Sequence, residues 1–456
     1  MEMNLPETLC WNRYKKIAFR FAFIYFILFI IFLDWSVNPV LSYFYYERGM
    51  AELLDVIIRW TGKNLFRIEQ TIISPYDGQH NDRTFIYLLY FVMALVALLG
   101  TMIWSVLDRK RRNYQTLYYW LTTVIRYYLA FTLFLFALEK FFKVQFPDLG
   151  VYVLTEPVGN MSPMSLAWAF FGYSYGYNIF MGIAESAALL LLFRRTMTFG
   201  TILTMITLAN VMAVNFNYDV HAKMYPTALF VMTLFLLMPH INRLYKFFFT
   251  NQSTSLPVIQ APVFQKRWMN ILKSALKLLL IGYFMFFSVN DYIGYKQRKD
   301  TRERNKKQAG LSGIYDVHTF VINNDTLSNE NSLRWNQVII GGARERIRLQ
   351  GDSLAYMEVS IDKKEILVYG DRIYLAVNEQ KLYDELGLQE SLYIDVDSIL
   401  AARQIKNRFT FELIDSSTLL LKGMIKKDSV FITAKKQSAE INNFRLIKNG
   451  FHWITE

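Results

Sequence analysis

Seven hydrophobic segments of membrane-spanning length constrain this chain more than any other feature. A bilayer core of roughly 30 Å takes about 20 helical residues, and each segment has that length or nearly so. The segments are residues 17–33, 84–107, 119–142, 171–193, 197–216, 225–241 and 269–289. Hydrophobic residues make up 53% of the 456 residues and charged residues only 19%, which is typical of polytopic membrane proteins. We therefore predict an α-helical membrane bundle of about seven spans.

The basic residues that flank the spans predict the orientation of the chain. Residues 108–112 (Asp-Arg-Lys-Arg-Arg) directly follow the second segment, and basic loops of this kind stay in the cytoplasm. We predict that the protein lies in a bacterial inner (plasma) membrane. With seven spans, its N-terminus is then cytoplasmic and its C-terminal part is extracytoplasmic. Residues 296–307 hold seven basic and two acidic residues, a balance that favours the cytoplasmic side for the C-terminal part. Long domains, however, cross a membrane largely regardless of such charge. If one span is miscounted, the tail lies inside.

The C-terminal part of the sequence has the alternating pattern that is typical of β-strands. From Gly310 onward, short runs of alternating apolar and polar residues are separated by turn residues, at 323–325, 351–352, 370–371, 415–416 and 427–428. This rhythm, repeated to the end of the chain, predicts a small antiparallel β-barrel or sandwich.

These patterns divide the chain into five parts. Residues 1–118 hold two leading membrane helices and a connector, in which the amphipathic stretch 50–59 is predicted to lie on the membrane surface. Residues 119–246 form a four-helix membrane core, 247–295 a linker and the last membrane helix, and 296–309 a basic, partly helical stalk. Residues 310–456 form an extracytoplasmic β-domain.

Several function classes are excluded or disfavoured by composition. The single cysteine, Cys10, excludes an intrachain disulfide, a Cys-x-x-Cys redox pair and a cysteine-built metal site. The five histidines are scattered, so no metal site is predicted. The net charge of +12 comes from basic runs beside the apolar spans, so we predict no nucleic-acid partner. No phosphate loop, dinucleotide fingerprint or nucleophile elbow occurs.

Polar side chains within the spans are the best functional evidence in the sequence. An ionisable group inside a membrane costs about 3 kcal/mol or more, so it is either paired or functional. Arg126 and Lys140 are fourteen residues apart, close to four helical turns, and so face one side of one helix. We predict that polar groups of three helices and one loop gather near the outer third of the membrane. The candidate ligand-binding residues are Arg126, Glu139, Lys140, Glu185, Asn210, Asn215, Asp219 and Lys223.

Two interpretations of this polar set remain open. In the first, Glu185 and Lys140 form a structural ion pair and the turn at residues 215–223 only caps helices. In the second, the groups line an outward-facing pocket for a polar head group, such as a quinone carbonyl or a lipid head. Asp219 and His221 are candidates for a general acid and base, although simple hydrogen bonding explains them as well.

Residues 123–241 resemble the DoxX family of bacterial membrane proteins. The resemblance lies in the stretch from Arg126 to Glu139 and Lys140, in residues 181–196 with their glycine, glutamate and basic end, and in residues 200–210 with the turn at 215–223. The closing residues 443–456 resemble the ends of lipocalin-like tails that are appended to such proteins in Bacteroidetes-type bacteria.

The resemblance implies a subunit of a membrane redox or envelope complex, with quinone as a possible cofactor. If the chain takes part in catalysis, it would do so as a subunit of an oxidoreductase complex. Membrane lipids and a protein docked on the β-domain are the expected partners. Two other hypotheses remain: a lipid or small-solute carrier whose barrel binds lipid, and an enzyme that acts on a membrane-bound substrate.

Overall fold

The computed structural model describes most of the chain in several separate stretches. They are residues 10–33, 50–69, 72, 82–256, 266–331, 333–341, 345–349, 354–369, 406–425, 427–437 and 444–448. The predicted turns at 351–352 and 370–371, and the lipocalin-like ending apart from residues 444–448, lie outside these ranges.

The N-terminal two thirds of the described chain are helical. The helices are α1 (Arg13–Phe32), α2 (Met50–Asn64), α3 (Thr84–Leu107), α4 (Gln115–Phe141), α5 (Val151–Thr155), α6 (Pro163–Tyr173), α7 (Tyr175–Ser186), α8 (Met197–Asn217), α9 (Met224–Leu237), α10 (Ile241–Thr250) and α11 (Arg267–Gln308). Helix α7 continues as a 3₁₀ helix, Ala187–Leu192, and α9 joins α10 through a second one, Met238–His240. A short helix α12 (Arg445–Lys448) follows the β-domain.

Within the described residues, six helical segments are long and apolar enough to cross a membrane. They are Thr84–Leu107, Gln115–Phe141, Tyr175–Leu192, Met197–Asn217, Met224–Thr250 and Arg267–Gln308. Helix α1 has 20 residues and is apolar after its first two turns, but its beginning is basic. The prediction of a helical region with several long apolar helices is confirmed, and the exact number of about seven spans stays a prediction.

Arg20, the one charged residue in the apolar part of α1, forms hydrogen bonds near the end of α3. Arg20 is buried and donates to the hydroxyl groups of Tyr114 and Ser105 and to the carbonyl oxygen of Asp108, at 2.6–3.0 Å. Each of these acceptors lies next to the basic loop at 108–112. The guanidinium is therefore satisfied at the end of a helix, which offsets the cost of burying it among apolar residues.

The predicted span at 171–193 is interrupted near its beginning. Helix α6 ends at Tyr173, and Ser174 adopts an extended backbone conformation before α7 begins. The Ser174 hydroxyl accepts the backbone N–H of Tyr177 at 3.2 Å, a typical N-cap contact. Hydropathy alone did not indicate this break, because the residues on both sides of it are equally apolar and aromatic.

The C-terminal domain is an antiparallel barrel. Its strands are β1 (Gly313–Ile322), β2 (Asp325–Thr326), β3 (Trp335–Ile340), β4 (Glu345–Leu349), β5 (Leu354–Ser360), β6 (Glu365–Tyr369), β7 (Lys406–Leu413), β8 (Thr418–Ile425) and β9 (Asp428–Lys436). Each strand pairs with the next in the order β2-β1-β3-β4-β5-β6-β7-β8-β9. A further pairing between β1 and β9 joins the two ends of the sheet, and β2 only extends the hairpin with β1. The sequence predicted a β-barrel or a β-sandwich, and the structure is a barrel.

Aromatic rings fill the barrel interior at the level of Trp335. Because β2 stands outside the ring of strands, β3 and β7 lie four strands apart in either direction, on opposite walls. The rings of Trp335 on β3 and Phe409 on β7 are nevertheless only 5.2 Å apart between centroids, and Phe320 on β1 lies 5.7 Å from Trp335. All three side chains are fully buried. An eight-stranded barrel is just wide enough for side chains to fill, and here they do so at this level.

A segment from the helical part of the sequence belongs to the barrel's compact unit. The chain divides into one unit built from 1–145, 162–167 and 174–292, and a second built from Phe146–Met161, Trp168–Tyr173 and Ile293–Glu456. In the second unit, Val151 packs on Ile314 and Ile339.

Two polar contacts reinforce this attachment. The Glu156 carboxylate pairs with Arg348 at 2.7 Å, and both side chains are largely buried. The guanidinium of Arg346 lies 4.2 Å from the Tyr152 ring centroid.

Truncating Trp335 should destabilise the barrel. The Trp335→Ala variant removes a fully buried ring that contacts two others, and such truncations cost about 3–5 kcal/mol. We expect faster cleavage within residues 310–456 when the full-length protein in detergent is exposed to a protease. Phe431→Ala is the matched control, because the Phe431 side chain on β9 is exposed. Equal cleavage rates for the two variants would contradict the description of a ring-filled interior.

Candidate functional site

A buried ion pair joins α4 to α7. The ammonium nitrogen of Lys140, in the last turn of α4, lies 2.8 Å from Oε1 of Glu185. Lys140 is 5% and Glu185 3% exposed, so both charges are removed from solvent. The ion pair predicted from sequence is thus formed. It connects two of the candidate membrane spans.

A glycine allows the two helices to approach closely enough for this pair. The buried residues of α7 are Asn178, Gly182 and Glu185, spaced so that they share one face of the helix. A Cβ atom at Gly182 would lie 2.5 Å from the ring of Phe141 on α4, which is too close. Glu185 lies one turn further along the same face, and there it meets Lys140.

One oxygen of the Glu185 carboxylate has no hydrogen-bond partner among the described residues. Oε1 faces Lys140, whereas Oε2 is buried and accepts no hydrogen bond from that part of the chain. An ionised carboxylate can only accept hydrogen bonds, and leaving a buried acceptor unsatisfied costs about 1–3 kcal/mol or more. This oxygen is therefore an open acceptor for a hydrogen-bond donor.

The last helix contributes a third polar group beside the pair. The carboxylate of Glu139 accepts a hydrogen bond from the hydroxyl of Tyr292 on α11. The Tyr292 ring also stacks on Phe142, with centroids 6.0 Å apart. Two carboxylates, one ammonium and one phenol thus lie near each other at one end of α4. Sequence reasoning did not select Tyr292, because nothing local distinguishes it from the other aromatic residues of that helix.

The turn at residues 215–223 forms a separate polar cluster. Asp219 and Lys223 form an ion pair at 2.8 Å, with the Asp219 side chain 71% exposed. The hydrogen bond from Lys223 lowers the pKa of Asp219, and the same bond raises the pKa of Lys223. Both shifts favour the charged pair, but solvent screens such an exposed contact strongly.

Asp82 fixes this turn from far away in the sequence. Its carboxylate accepts the backbone N–H groups of Lys223 at 2.6 Å and Met224 at 3.1 Å, where α9 begins. The Asp82 N–H donates to the carbonyl oxygen of His221. Asn215 completes the arrangement by donating from Nδ2 to the Ala222 carbonyl oxygen at 2.8 Å. Asp82 was missed by sequence reasoning, because an N-cap supplied from 141 residues away leaves no local signal.

The acid–base hypothesis receives no support from this turn. The carboxylate of Asp219 bonds to Lys223, and His221 uses its backbone carbonyl to bind Asp82. No hydrogen bond joins the side chains of Asp219 and His221, both of which lie in the described part of the chain. The arrangement of residues 215–223 is that of a helix cap.

Two of the predicted ligand-binding residues lie away from both polar clusters. Arg126 donates from Nε to the carbonyl oxygen of Leu191 at 2.7 Å, about 21 Å along α4 from Lys140. Asn210 is exposed on α8. The structure therefore brings together Glu139, Lys140 and Glu185, groups Asn215, Asp219 and Lys223 at the turn, and leaves Arg126 and Asn210 apart from both clusters.

Within the described stretches of the chain, no group of three His, Cys, Asp or Glu side chains has a geometry that could hold a metal ion. The acceptor left open at Glu185 is a single oxygen, which suits a hydrogen-bond donor.

Comparisons with known proteins give a family but no activity. The chain is 35% identical over 113 residues to the uncharacterized protein YwoB of Bacillus subtilis (strain 168). The match covers 25% of this chain and 71% of YwoB, so the chain belongs to the same family as YwoB through about a quarter of its length. No family model matches the chain, and no solved structure matches it. The DoxX resemblance stays a prediction.

Neutralising one member of the ion pair should destabilise the protein more than neutralising both. Lys140→Met leaves the Glu185 carboxylate buried without a cation, and breaking a buried pair in this way costs about 3–5 kcal/mol. The double variant Lys140→Met/Glu185→Gln buries no charge and should regain most of that loss. Thermal denaturation in detergent, with all variants compared in a double-mutant cycle, measures the difference.

The exposed pair offers a matched control for this cycle. Asp219→Asn/Lys223→Met removes an ion pair of the same length that is largely open to solvent, and we expect a small change in Tm. Additive effects of the two substitutions at Lys140 and Glu185 would contradict the strong coupling that their burial implies.

Removing the carboxylate of Asp82 should loosen the beginning of α9. In Asp82→Ala, two backbone N–H groups lose their acceptor, and loss of an N-cap costs about 1 kcal/mol. We expect faster backbone hydrogen exchange at residues 220–226, measured by mass spectrometry. Asp219→Asn should leave exchange there nearly unchanged, because its side chain does not cap the helix. Equal effects of both substitutions would refute the role given to Asp82.

Proposed function

We propose that this chain is a bacterial inner-membrane protein that holds a polar head group at the Lys140–Glu185 pair. The head group belongs to a lipid-soluble molecule, either a quinone in its reduced, hydroxyl-bearing quinol form or a lipid, and the protein serves as a subunit of a membrane redox or envelope complex. The observation that carries the proposal is the buried Oε2 of Glu185, which has no donor among the described residues.

The chemistry of the pair favours a head group that donates a hydrogen bond. The ammonium of Lys140 stabilises the charged form of Glu185, and an ionised carboxylate accepts from hydroxyl or ammonium groups. A hydroxyl of a quinol or of a lipid head meets this need. A hydrogen bond to a charged group contributes about 1.5–3 kcal/mol, which offsets the cost of the empty acceptor.

The orientation follows from the basic loops. Residues 109–112 and Arg194–Arg195 flank the ends of apolar helices and favour the cytoplasmic side. The N-terminus is then cytoplasmic, α1 is the seventh span, and the barrel is extracytoplasmic. The Lys140–Glu185 pair belongs to the outer half of the membrane, where α4 ends.

The barrel is proposed to dock a protein partner. The alternative of a lipid-carrying barrel needs an apolar cavity, and the contact between Trp335 and Phe409 across the interior disfavours one at that level. The alternative of an enzyme based on Asp219 and His221 is disfavoured by the ion pair between Asp219 and Lys223. A subunit with a bound head group and a docking domain accounts for both observations.

Extraction of bound small molecules tests the proposal directly. The full-length protein is purified from bacterial membranes in mild detergent, and co-purified quinones and lipids are measured by mass spectrometry. We expect one species in stoichiometric amount with the wild type, and roughly tenfold less with Lys140→Met/Glu185→Gln, which loses the charge-assisted hydrogen bond.

The exposed double variant Asp219→Asn/Lys223→Met provides the control for this extraction. It removes a pair of charges outside the site and should retain the bound species. If the wild type and Lys140→Met/Glu185→Gln carried the same molecules in the same amounts, the proposed site would be wrong.

A further inference from the structure

Helix α10 reverses the usual arrangement of an amphipathic helix. Its polar residues recur every three or four positions and therefore share one side of the helix: Asn242, Arg243, Lys246 and Thr250. The other side, called here the aromatic side, is formed by Ile241, Leu244, Tyr245, Phe248 and Phe249. An amphipathic helix of a globular protein packs its apolar side on the core. Helix α10, which is described throughout, has no buried residue.

The aromatic side faces outward, whereas the polar side contacts the chain. Phe248 is 63% and Phe249 77% exposed. The ring of Tyr245 stacks on that of Phe249, with centroids 5.3 Å apart, so this contact lies within the helix itself. Arg243 donates from Nη1 to the carbonyl oxygen of Ser255 at 2.9 Å, because the residues after α10 fold back along the helix. Outward-facing aromatic rings are favourable where the surrounding medium is apolar.

The segment before α10 already has the length of a membrane crossing. Residues 224–240 comprise α9 and the 3₁₀ helix Met238–His240, which rise about 1.5 and 2.0 Å per residue and so extend about 27 Å. A crossing takes about 17–25 residues, and the hydrocarbon core is roughly 30 Å thick. His240 is buried, and the burial ends with it. A crossing that starts at Met224 therefore needs no residue of α10.

The charge around α10 has one sign. Residues 220–290 contain no acidic residue. Arg243 and Lys246 on α10, and Lys266 and Arg267 at the beginning of α11, are basic. A helix with basic residues on its polar side and aromatic residues on the other lies in the plane of the membrane interface, and its charge is attracted to anionic lipids.

We propose that α10 lies in the membrane interface and binds a surface of anionic phospholipid. The aromatic side enters the boundary between head groups and acyl chains, while Arg243 and Lys246 extend to the lipid phosphates. Lipid suits this helix better than a second copy of the chain, because two copies joined there would bring like charges together without an acidic group between them. The surface is separate from the Lys140–Glu185 pair, and the proposal is independent of the head group proposed there.

Spin labels on the two sides of α10 test its position in full-length protein in nanodiscs of phosphatidylcholine and phosphatidylglycerol. Replacing the single cysteine, Cys10→Ser, allows a label to be placed by Phe248→Cys on the aromatic side or by Thr250→Cys on the polar side. We expect the label at 248 to collide with dissolved oxygen, which concentrates in lipid. The label at 250 should collide with a water-soluble nickel chelate.

Two results of the labelling would overturn the proposal. Equal nickel accessibility at both positions would place the whole helix in water. Dipolar broadening of the label at 248 that disappears on dilution with unlabelled protein would show that a second copy covers the aromatic side.

The preference for anionic lipid is measured by native mass spectrometry of protein released from the same nanodiscs. The probe is the phosphatidylglycerol that remains bound. We expect at least about fivefold less of it on Arg243→Gln/Lys246→Gln than on the wild type, because each basic residue near a membrane surface strengthens such binding about fivefold. Arg243→Lys/Lys246→Arg keeps both charges and should keep the lipid.

The stalk of α11 provides a matched control for the charge. Arg302→Gln/Arg304→Gln removes two exposed basic residues that have Asp300 and Glu303 as neighbours and no aromatic side, so the bound lipid should stay at the wild-type amount. Lys246→Gln alone serves if the double variant at α10 does not fold, since Lys246 is exposed. Wild-type amounts of phosphatidylglycerol on whichever α10 variant folds would overturn the proposal.

Discussion

The low dielectric of a membrane forces every buried charge to find a partner, and this protein meets the constraint in three ways. Arg20 uses hydroxyl and carbonyl acceptors at the end of α3. Lys140 and Glu185 neutralise each other between two helices. Arg126 and Lys277 donate to the last carbonyl groups of a 3₁₀ helix. The first arrangement is complete, whereas in the second one oxygen of the Glu185 carboxylate has no donor among the described residues. That difference separates a structural contact from a candidate binding site.

Much of the architecture could be predicted from the sequence, because hydropathy and alternation are local properties. Long apolar runs indicated the helices, and short alternating runs indicated the barrel. The pairing of Lys140 with Glu185 also followed, since few other groups in the core could neutralise either charge. The cap that Asp82 provides and the hydrogen bond of Tyr292 could not be predicted, because they join residues far apart in the chain. Helical spacing placed Arg126 on the same face as Lys140, but it could not identify Leu191 as its neighbour.

Helix α4 links the two polar sites through one rigid element. It carries Arg126 in its middle and Lys140 in its last turn, about 21 Å apart, and α11 contributes Lys277 near the first and Tyr292 near the second. The family shared with the uncharacterized YwoB assigns no chemistry to either position.

The segment Phe146–Met161 belongs to the same compact unit as the barrel, although it precedes four of the candidate spans in the sequence. The Glu156–Arg348 contact joins residues 192 positions apart, and closing so long a loop lowers the entropy of the chain. The buried contacts within this unit must offset that cost, so the segment and the barrel strands acquire their order together.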